Sequence, residues 1–346
     1  ACLATEWVQA PVEPARQALQ VKRLLADGEG YVLAGRSDNR VVFVRVDPNA
    51  NAQAFVRDSK AQLIGNLDIP AIQSLGNHRF LLPVSPDASN SACLLATSDH
   101  TGSDLTRARL ARGESVLCGP VVPVIDAAGG LWQRRTDVNA VVHVHADGAQ
   151  HSITAPPGTP FAFSVSPLLD AAAAYVVFRD NGNFNLVRAS DNGLDWTQAP
   201  PITSSFAPQV LTLSDGDALL LGTNTTSTSS DSLFLARYGA DGSLRWSRSY
   251  PELAPSLVSR VHQLSGDRVV VSVVSLADGP TTLYAFDGNG DLAWSKPDSS
   301  ERFQAFVDGA AADPREAPAT FANIVGERDP GANADRITAI EYLDRD

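Results

Sequence analysis

The chain of 346 residues contains no methionine, three cysteines and six histidines, and among its 27 basic residues the lysines are Lys22, Lys60 and Lys296 alone. Each shortage narrows the field. Cys2, Cys93 and Cys118 are too far apart for a CxxC redox motif or a cysteine zinc site. The basic residues are scattered with no aromatic-basic cluster and the formal charge is −12, which argues against nucleic acid or anionic lipid as partner and leaves cationic ligands or partners open. No run approaches the ~18 apolar residues of a membrane-spanning helix, and no G-x-S-x-G, Walker or G-x-G-x-x-G pattern stands in a usable context. With 44% hydrophobic and 19% charged residues, the chain has enough apolar side chain for a packed core.

Because position 1 is Ala and methionine is absent, the numbered chain is expected to begin after processing. Ala1-Cys2 reads as the end of a bacterial lipobox, making Cys2 a candidate lipid attachment; a simple secretory cut or an incidental cysteine are the alternatives. In an exported protein Cys93 and Cys118 form an expected disulfide, whose loop would contribute about 3 to 4 kcal/mol in the chain-entropy model. Two buried thiols in a cytosolic protein are the other reading.

Apolar residues alternate with period 2 between Gly, Asp, Asn and Pro, and no long stretch keeps a period of 3.6. Tyr31 to Gly35, Arg40 to Val46, Val141 to Ala146, Tyr175 to Arg179, Phe184 to Ala189, Ala218 to Gly222, Leu233 to Arg237, Val269 to Val274 and Leu283 to Phe286 read as strands. The fold class is all-β. Val12 to Leu25 is the best helical candidate, although it reads better as a lead into the first strand.

Acidic or amide turns recur at Asp47, Asp99, Asp147, Asp191, Asp241, Asn289 and Asp344. A period of about 50 residues suits a four-stranded blade, so the expected architecture is a single seven-bladed β-propeller domain over residues 1–346, with six or eight blades as alternatives. In Ala240-Asp241-Gly242-Ser243 the Asp can bond amides two residues on while Gly supplies positive φ. A tryptophan follows each of three turns by five residues, Asp191 to Trp196, Asp241 to Trp246 and Asn289 to Trp294, and is expected to pack between adjacent blades. Glu6-Trp7-Val8-Gln9-Ala10-Pro11 echoes Asp195-Trp196-Thr197-Gln198-Ala199-Pro200. Residues 6–11 are therefore expected to form the outer strand completing the last blade, beside Ile337 to Leu343, because exposed sheet edges invite aggregation.

Asp191-Asn192-Gly193-Leu194-Asp195-Trp196 resembles the Asp-box of sialidase-type propellers, S-x-D-x-G-x-T-W, with Ala189 in place of the Ser and Asp195 in place of the Thr. Tyr238 to Trp246 and Phe286 to Trp294 are similar to the blade turns of quinoprotein-like (PQQ-type) bacterial propellers. The resemblance implies a blade turn and no particular activity, since such turns recur in enzymes, lectins and scaffolds. A sialidase would need an arginine cluster, a tyrosine nucleophile with a glutamate, and an acid. Arg134, Arg135, Tyr31, Tyr175 and Glu327 supply the residue types, but the Phe/Tyr-Arg-Ile-Pro motif is absent. A quinoprotein dehydrogenase usually carries a vicinal disulfide, which Cys2, Cys93 and Cys118 do not allow.

His143-Val144-His145 puts two imidazoles on one face of a strand, with Asp147 next and His151 on the following strand, a candidate zinc or copper site; the polar face of an exposed strand is the alternative. Asp287, Asn289 and Asp291 alternate like calcium ligands, but Leu292 occupies the sixth position where an EF-hand needs Gly, and a hairpin turn accounts for the same residues. No cofactor is expected beyond a possible calcium ion. Thr223 to Ser232, Ala310 to Thr320 and Glu327 to Asp335 read as long loops, where a rigid ring usually carries recognition. Arg260 and His262 are the titratable residues expected on an inner strand. The functional expectation is an exported, monomeric binding or scaffold module, periplasmic or anchored to the outer membrane through Cys2, engaging a protein or carbohydrate partner at one mouth of the ring. The alternative is a glycan- or polymer-active enzyme, a hydrolase or lyase, with its site in the central funnel.

Overall fold

The computed structural model describes residues 2–6, 20–27, 30–37, 40–46, 52–56, 73–74, 79–84, 94–99, 106–108, 124–126, 131–135, 140–145, 149–154, 159–165, 173–180, 183–202, 208–225, 231–253, 256–275, 282–297, 307–308, 321–329 and 334–345. The chain divides into two compact units, residues 119–298 and the remainder. Among the described residues the strands form seven sheets.

The first unit contains β1 (Cys2–Glu6), the meander β2 (Gln20–Asp27), β3 (Gly30–Ser37), β4 (Arg40–Val46) and β5 (Ala52–Val56), and the meander β6 (Gln73–Ser74), β7 (Arg79–Val84), β8 (Leu94–Asp99) and β9 (Thr106–Ala108). The second unit is four antiparallel meanders of four strands each. They are β10 (Val124–Ile125), β11 (Leu131–Arg135), β12 (Ala140–Val144) and β13 (Gln150–Thr154); β14 (Thr159–Val165), β15 (Ala173–Asp180), β16 (Asn183–Ser190) and β17 (Gly193–Gln198); β18 (Gln209–Thr212), β19 (Ala218–Thr225), β20 (Asp231–Tyr238) and β21 (Leu244–Tyr250); and β22 (Ser256–Gln263), β23 (Val269–Ser275), β24 (Thr282–Phe286) and β25 (Leu292–Pro297). The first unit then resumes with β26 (Val307–Asp308), β27 (Phe321–Asp329) and β28 (Ala334–Arg345).

Two loop expectations need correction, and two N-terminal ones gain bounds. The helical candidate Val12 to Leu25 supplies strand from Gln20, within β2. Thr223 to Ser232 is mostly ladder, since Thr223 pairs with Leu233, Asn224 with Ser232 and Thr225 with Asp231. Branched threonines sit well on a pleated surface, and residues 226–230 alone separate the strands. Glu327 to Asp335 is a hairpin stem, with Glu327 opposite Arg336 and Asp329 opposite Ala334. The strand beside β28 is Cys2–Glu6, with Thr5 opposite Glu341 and Glu6 opposite Ile340. Residues 7–11, including Trp7, lie outside the described residues, as do Cys93, Cys118, Asp147 and Ala310 to Thr320.

Period-2 alternation builds the core of the second unit, because both faces of each middle sheet are covered. From β15, Ala174, Val176 and Phe178 join Trp132, Val141 and Ile153 on one side, while Tyr175 and Val177 turn to the β18–β21 sheet on the other. From β19, Ala218 and Leu220 face back toward β15 and β16, and Leu219 and Leu221 face forward to Val269, Val271 and Phe286. That double burial explains why Leu219-Leu220-Leu221 is a continuous apolar run.

Candidate functional site

One row of residues crosses each sheet of the second unit near the turns. Trp132, His143 and His151 are register partners in the β10–β13 sheet. The corresponding rows are Tyr175, Arg188 and Trp196, then Leu219, Arg237 and Trp246, then Val270, Ala285 and Trp294. The first three rows reach toward the turns of the following sheet. Trp196 Nε1 donates to the Ala240 carbonyl at 2.9 Å and Trp246 Nε1 to the Gly288 carbonyl at 3.2 Å. Gly242 and Gly290, both at positive φ, lie directly against those indoles. The expectation that tryptophans pack between adjacent sheets therefore holds for Trp196 and Trp246, and the turn glycines are what they pack on.

The Asp-box-like turn works by local bonding. Ser190 Oγ donates to Asp195 at 2.8 Å and accepts from the Asn192 amide at 3.3 Å, so Ser190, one residue after the expected place, takes the role of the missing Ser. At Asp241 the carboxylate accepts from the Ser243 hydroxyl at 2.6 Å and the Ser243 amide at 3.0 Å, and these bonds hold its pKa below the ordinary carboxylate value. Asp287 accepts from the Asn289 and Asp291 amides, both at 2.9 Å. The Asp287, Asn289, Asp291 segment is thus a hairpin turn in which one carboxylate oxygen already caps the backbone.

Arg237 is the centre of an acidic groove of about 660 Å³ lined by Asp215, Asp217, Asp241, Arg245 and Asn289 among others. Its Nε donates to Asp217 at 2.8 Å, and its terminal nitrogens to Asp215, to Asp267 at 3.1 Å and to the Gly288 carbonyl at 3.1 Å. Desolvation opposes the charge, but the Asp217 bond and the Asp215 and Asp267 charges outweigh it and hold the guanidinium above its ordinary value. Asp215 and Asp217 belong to the turn of Arg237's own sheet, whereas Asp267 and Gly288 belong to the next. Arg237 ties two sheets together while Asp241 stays fully exposed to solvent.

His143 occupies the same place in its row and makes the same kind of link. Its Nε2 lies 2.7 Å from Asp126 of its own sheet and its Nδ1 lies 2.8 Å from Asp191 of the next. Trp132 stacks on it at 4.3 Å with 8° between the rings. The structure also gathers the other two histidines read as metal candidates: the His145 ring is 4.1 Å from His143, and His151 meets His145 edge-on at 5.0 Å. Sequence reasoning found these three and missed Asp126 and Trp132, while Asp191 was read only as a turn residue. The missed signal is periodic. His143 stands opposite the outer-strand position that holds tryptophan in three later sheets, where Arg188 and Arg237 also stand.

The remaining candidates separate. Tyr175 is buried and its hydroxyl donates to the Gly216 carbonyl at 2.6 Å; burial pushes it up to about 12, the opposite of an activated nucleophile. Arg260 and His262 fall on β22 and Glu327 on β27, Arg134 and Arg135 on β11 and Tyr31 on β3, and their side chains lie outside the described set. Cys2 opens β1.

No protein-family model and no curated protein matches the chain. Solved structures do. The WD40 domain of Toxoplasma gondii coronin matches with a TM-score of 0.60 at 12% identity, over 99% of this chain and 87% of that one. A catalytically inactive variant of virginiamycin B lyase from Staphylococcus aureus, with quinupristin, matches with a TM-score of 0.55 at 10% identity over the whole of both chains. The β-propeller domain of Myceliophteria thermophila Cps50 (Swd1) matches with a TM-score of 0.56 at 11% identity, over 99% of this chain and all of that one. A WD40 domain and a lyase both appear among them, so the likeness carries fold and not activity. The successive antiparallel meanders, two joints of which are tryptophan-on-glycine contacts, are the blades of a β-propeller.

Proposed function

We propose that the chain is a seven-bladed propeller that works as a binding module, recognising a basic protein segment at the rim formed by its acidic turns. The observation that carries this reading is the groove around Arg237. There Asp215 and Asp241 present exposed carboxylates beside Asn289, on backbone fixed by four-stranded sheets. A fixed acidic rim on a chain of charge −12 attracts cationic partners and speeds their encounter. Seven turn signals and seven sheets support the blade count, and the pairing of β1 with β28 supports closure of the ring by the N-terminal strand. The test is fluorescence anisotropy with a labelled Arg/Lys-rich decapeptide. Binding that weakens with added salt, and about tenfold further in the Asp215→Asn, Asp241→Asn double variant, supports the proposal. Equal binding by the native chain and the double variant removes it.

An envelope location belongs to the same proposal. It rests on Cys93 and Cys118 read as a disulfide. Intact mass with and without reductant decides that pairing: a difference of two protons supports export, and free thiols count against it.

A further inference from the structure

We propose that His143, His145 and Asp191 bind a divalent transition-metal ion of the zinc class, clamping the β10–β13 sheet to the β14–β17 sheet. The argument begins with the two nitrogens of one ring. His143 is buried, and its Nε2 faces the equally buried Asp126 carboxylate at 2.7 Å; in the neutral tautomer with the proton on Nε2, Asp126 accepts it. In the neutral ring Nδ1 is then a lone pair, yet it lies 2.8 Å from Asp191 Oδ1, itself a lone-pair donor. Something positive belongs between them. In the β18–β21 sheet the same position is filled by Arg237, whose charge is permanent.

A second proton on His143 would satisfy that one contact. It would leave a further observation unexplained: His145 Nε2 is buried, has no hydrogen-bond partner, and lies 3.3 Å from Asp191 Oδ2 in a geometry that makes no hydrogen bond. A metal ion accounts for both. Ligands held at about 2.0 to 2.1 Å in a tetrahedron stand roughly 3.3 Å apart. The ligand atoms of His143, His145 and Asp191 already lie within 4.8 Å of one another. Asp126 then acts as the outer carboxylate that fixes the His143 tautomer, an arrangement common behind metal-bound imidazoles. Trp132 covers one face of the His143 ring, and His151 stands on the open side, next to His145. The ligands are three side chains with one position left for His151 or water. Soft thiolate is absent and two imidazoles are present, which suits zinc, nickel or copper over magnesium or calcium.

The experiment uses the full chain, free of any histidine tag and stripped with a chelator. Zinc chloride is titrated by calorimetry, and cobalt(II) is added separately to read its visible spectrum. The expected result is one zinc per chain with a Kd of about 1 μM or tighter, a higher melting temperature with zinc, and intense four-coordinate cobalt bands. His145→Ala should weaken zinc by about 100-fold or more while its metal-free melting temperature stays near that of the native chain. Zinc binding weaker than about 100 μM, or unchanged by His145→Ala, overturns the proposal and leaves His143 as a protonated counterpart of Arg237. Should His145→Ala fail to fold, the cobalt spectrum of the native chain decides: absence of four-coordinate bands overturns the proposal.

Discussion

Gly290 offers a quantitative test of the joint between sheets. Its φ is +83°, and a Cβ built there would stand 2.7 Å from Trp246 Cζ3 and 2.8 Å from Cη2. Gly266 shares the positive φ, +69°, but a Cβ there meets nothing within 4 Å. Gly266→Ala therefore measures the conformational penalty alone, about 1 to 2 kcal/mol. Gly290→Ala adds a clash against a ring that is itself pinned by the hydrogen bond from Nε1 to the Gly288 carbonyl. Overpacking of this kind costs about 1 to 3 kcal/mol, so the total is roughly 2 to 5 kcal/mol. Trp246→Ala should remove the clash as well as the packing, and in that background Gly290→Ala should again cost only about 1 to 2 kcal/mol. Urea unfolding monitored by far-UV circular dichroism gives the four stabilities, with the slope checked for constancy. Equal losses for Gly290→Ala and Gly266→Ala, or no recovery in the Trp246→Ala background, would refute tryptophan-on-glycine packing as the joint.

Further expectations follow from the same row. Trp246→Ala alone should cost about 3 to 5 kcal/mol by denaturant unfolding, because it opens a void beside the Leu219, Leu235 and Phe286 layer. Arg237→Met leaves Asp217 and Asp267 facing each other with the half-exposed Arg245, 3.7 Å from Asp217, as the remaining cation, and should cost about 3 kcal/mol, of which Asp217→Asn in the same chain should restore a measurable part. Tyr175 and Tyr250 are raised from 10.0 to about 12, first by burial, and each donates its proton to a carbonyl of the next sheet, Gly216 and Gly290. The unfolded chain loses these protons as pH rises through about 10 while the native chain keeps them to about 12, so stability is full below about pH 10 and falls between the two values. Urea midpoints at about pH 9 and pH 11 check this, and a Tyr175→Phe, Tyr250→Phe chain should show a smaller fall.

The sequence carried the strands and turns because their causes are local. Period-2 alternation gave β4 at its observed bounds, and the acidic or amide turns with a tryptophan five residues on gave both the hairpins and the indoles that bridge sheets. What it did not carry depends on partners about 50 residues away. Asp191 lies 48 residues from His143, and Gly288 lies 51 from Arg237, so neither contact leaves a mark within a local window. The misread loops failed for a local reason. Thr223 to Thr225 look like a polar tract until Leu233 and Ser232 are seen across from them, and Glu327 to Asp335 contains Pro330-Gly331, a dipeptide that reads as a turn between two short strands.

Reading along the row, and not along the chain, also ranks the chemistry. One inner position of the third strand holds His143, Arg188, Arg237 and Ala285 in turn. Arg237 spends its charge on its own turn and the next, Arg188 bonds Asp195 within its own sheet, and Ala285 carries no charge. Arg237 shows that a cation at this position can hold the acidic turns of two sheets together, a role that Asp126 and Asp191 offer to His143. The β10–β13 sheet departs from that arrangement by using an imidazole, and by adding His145 and His151 where Arg237 has no such company. A buried proton on His143 would have been enough for the joint. His145 reaches the one carboxylate, Asp191, that already spans the two sheets, with His151 edge-on beside its ring, and it is this surplus that separates the histidine cluster from the arginine joint beside it.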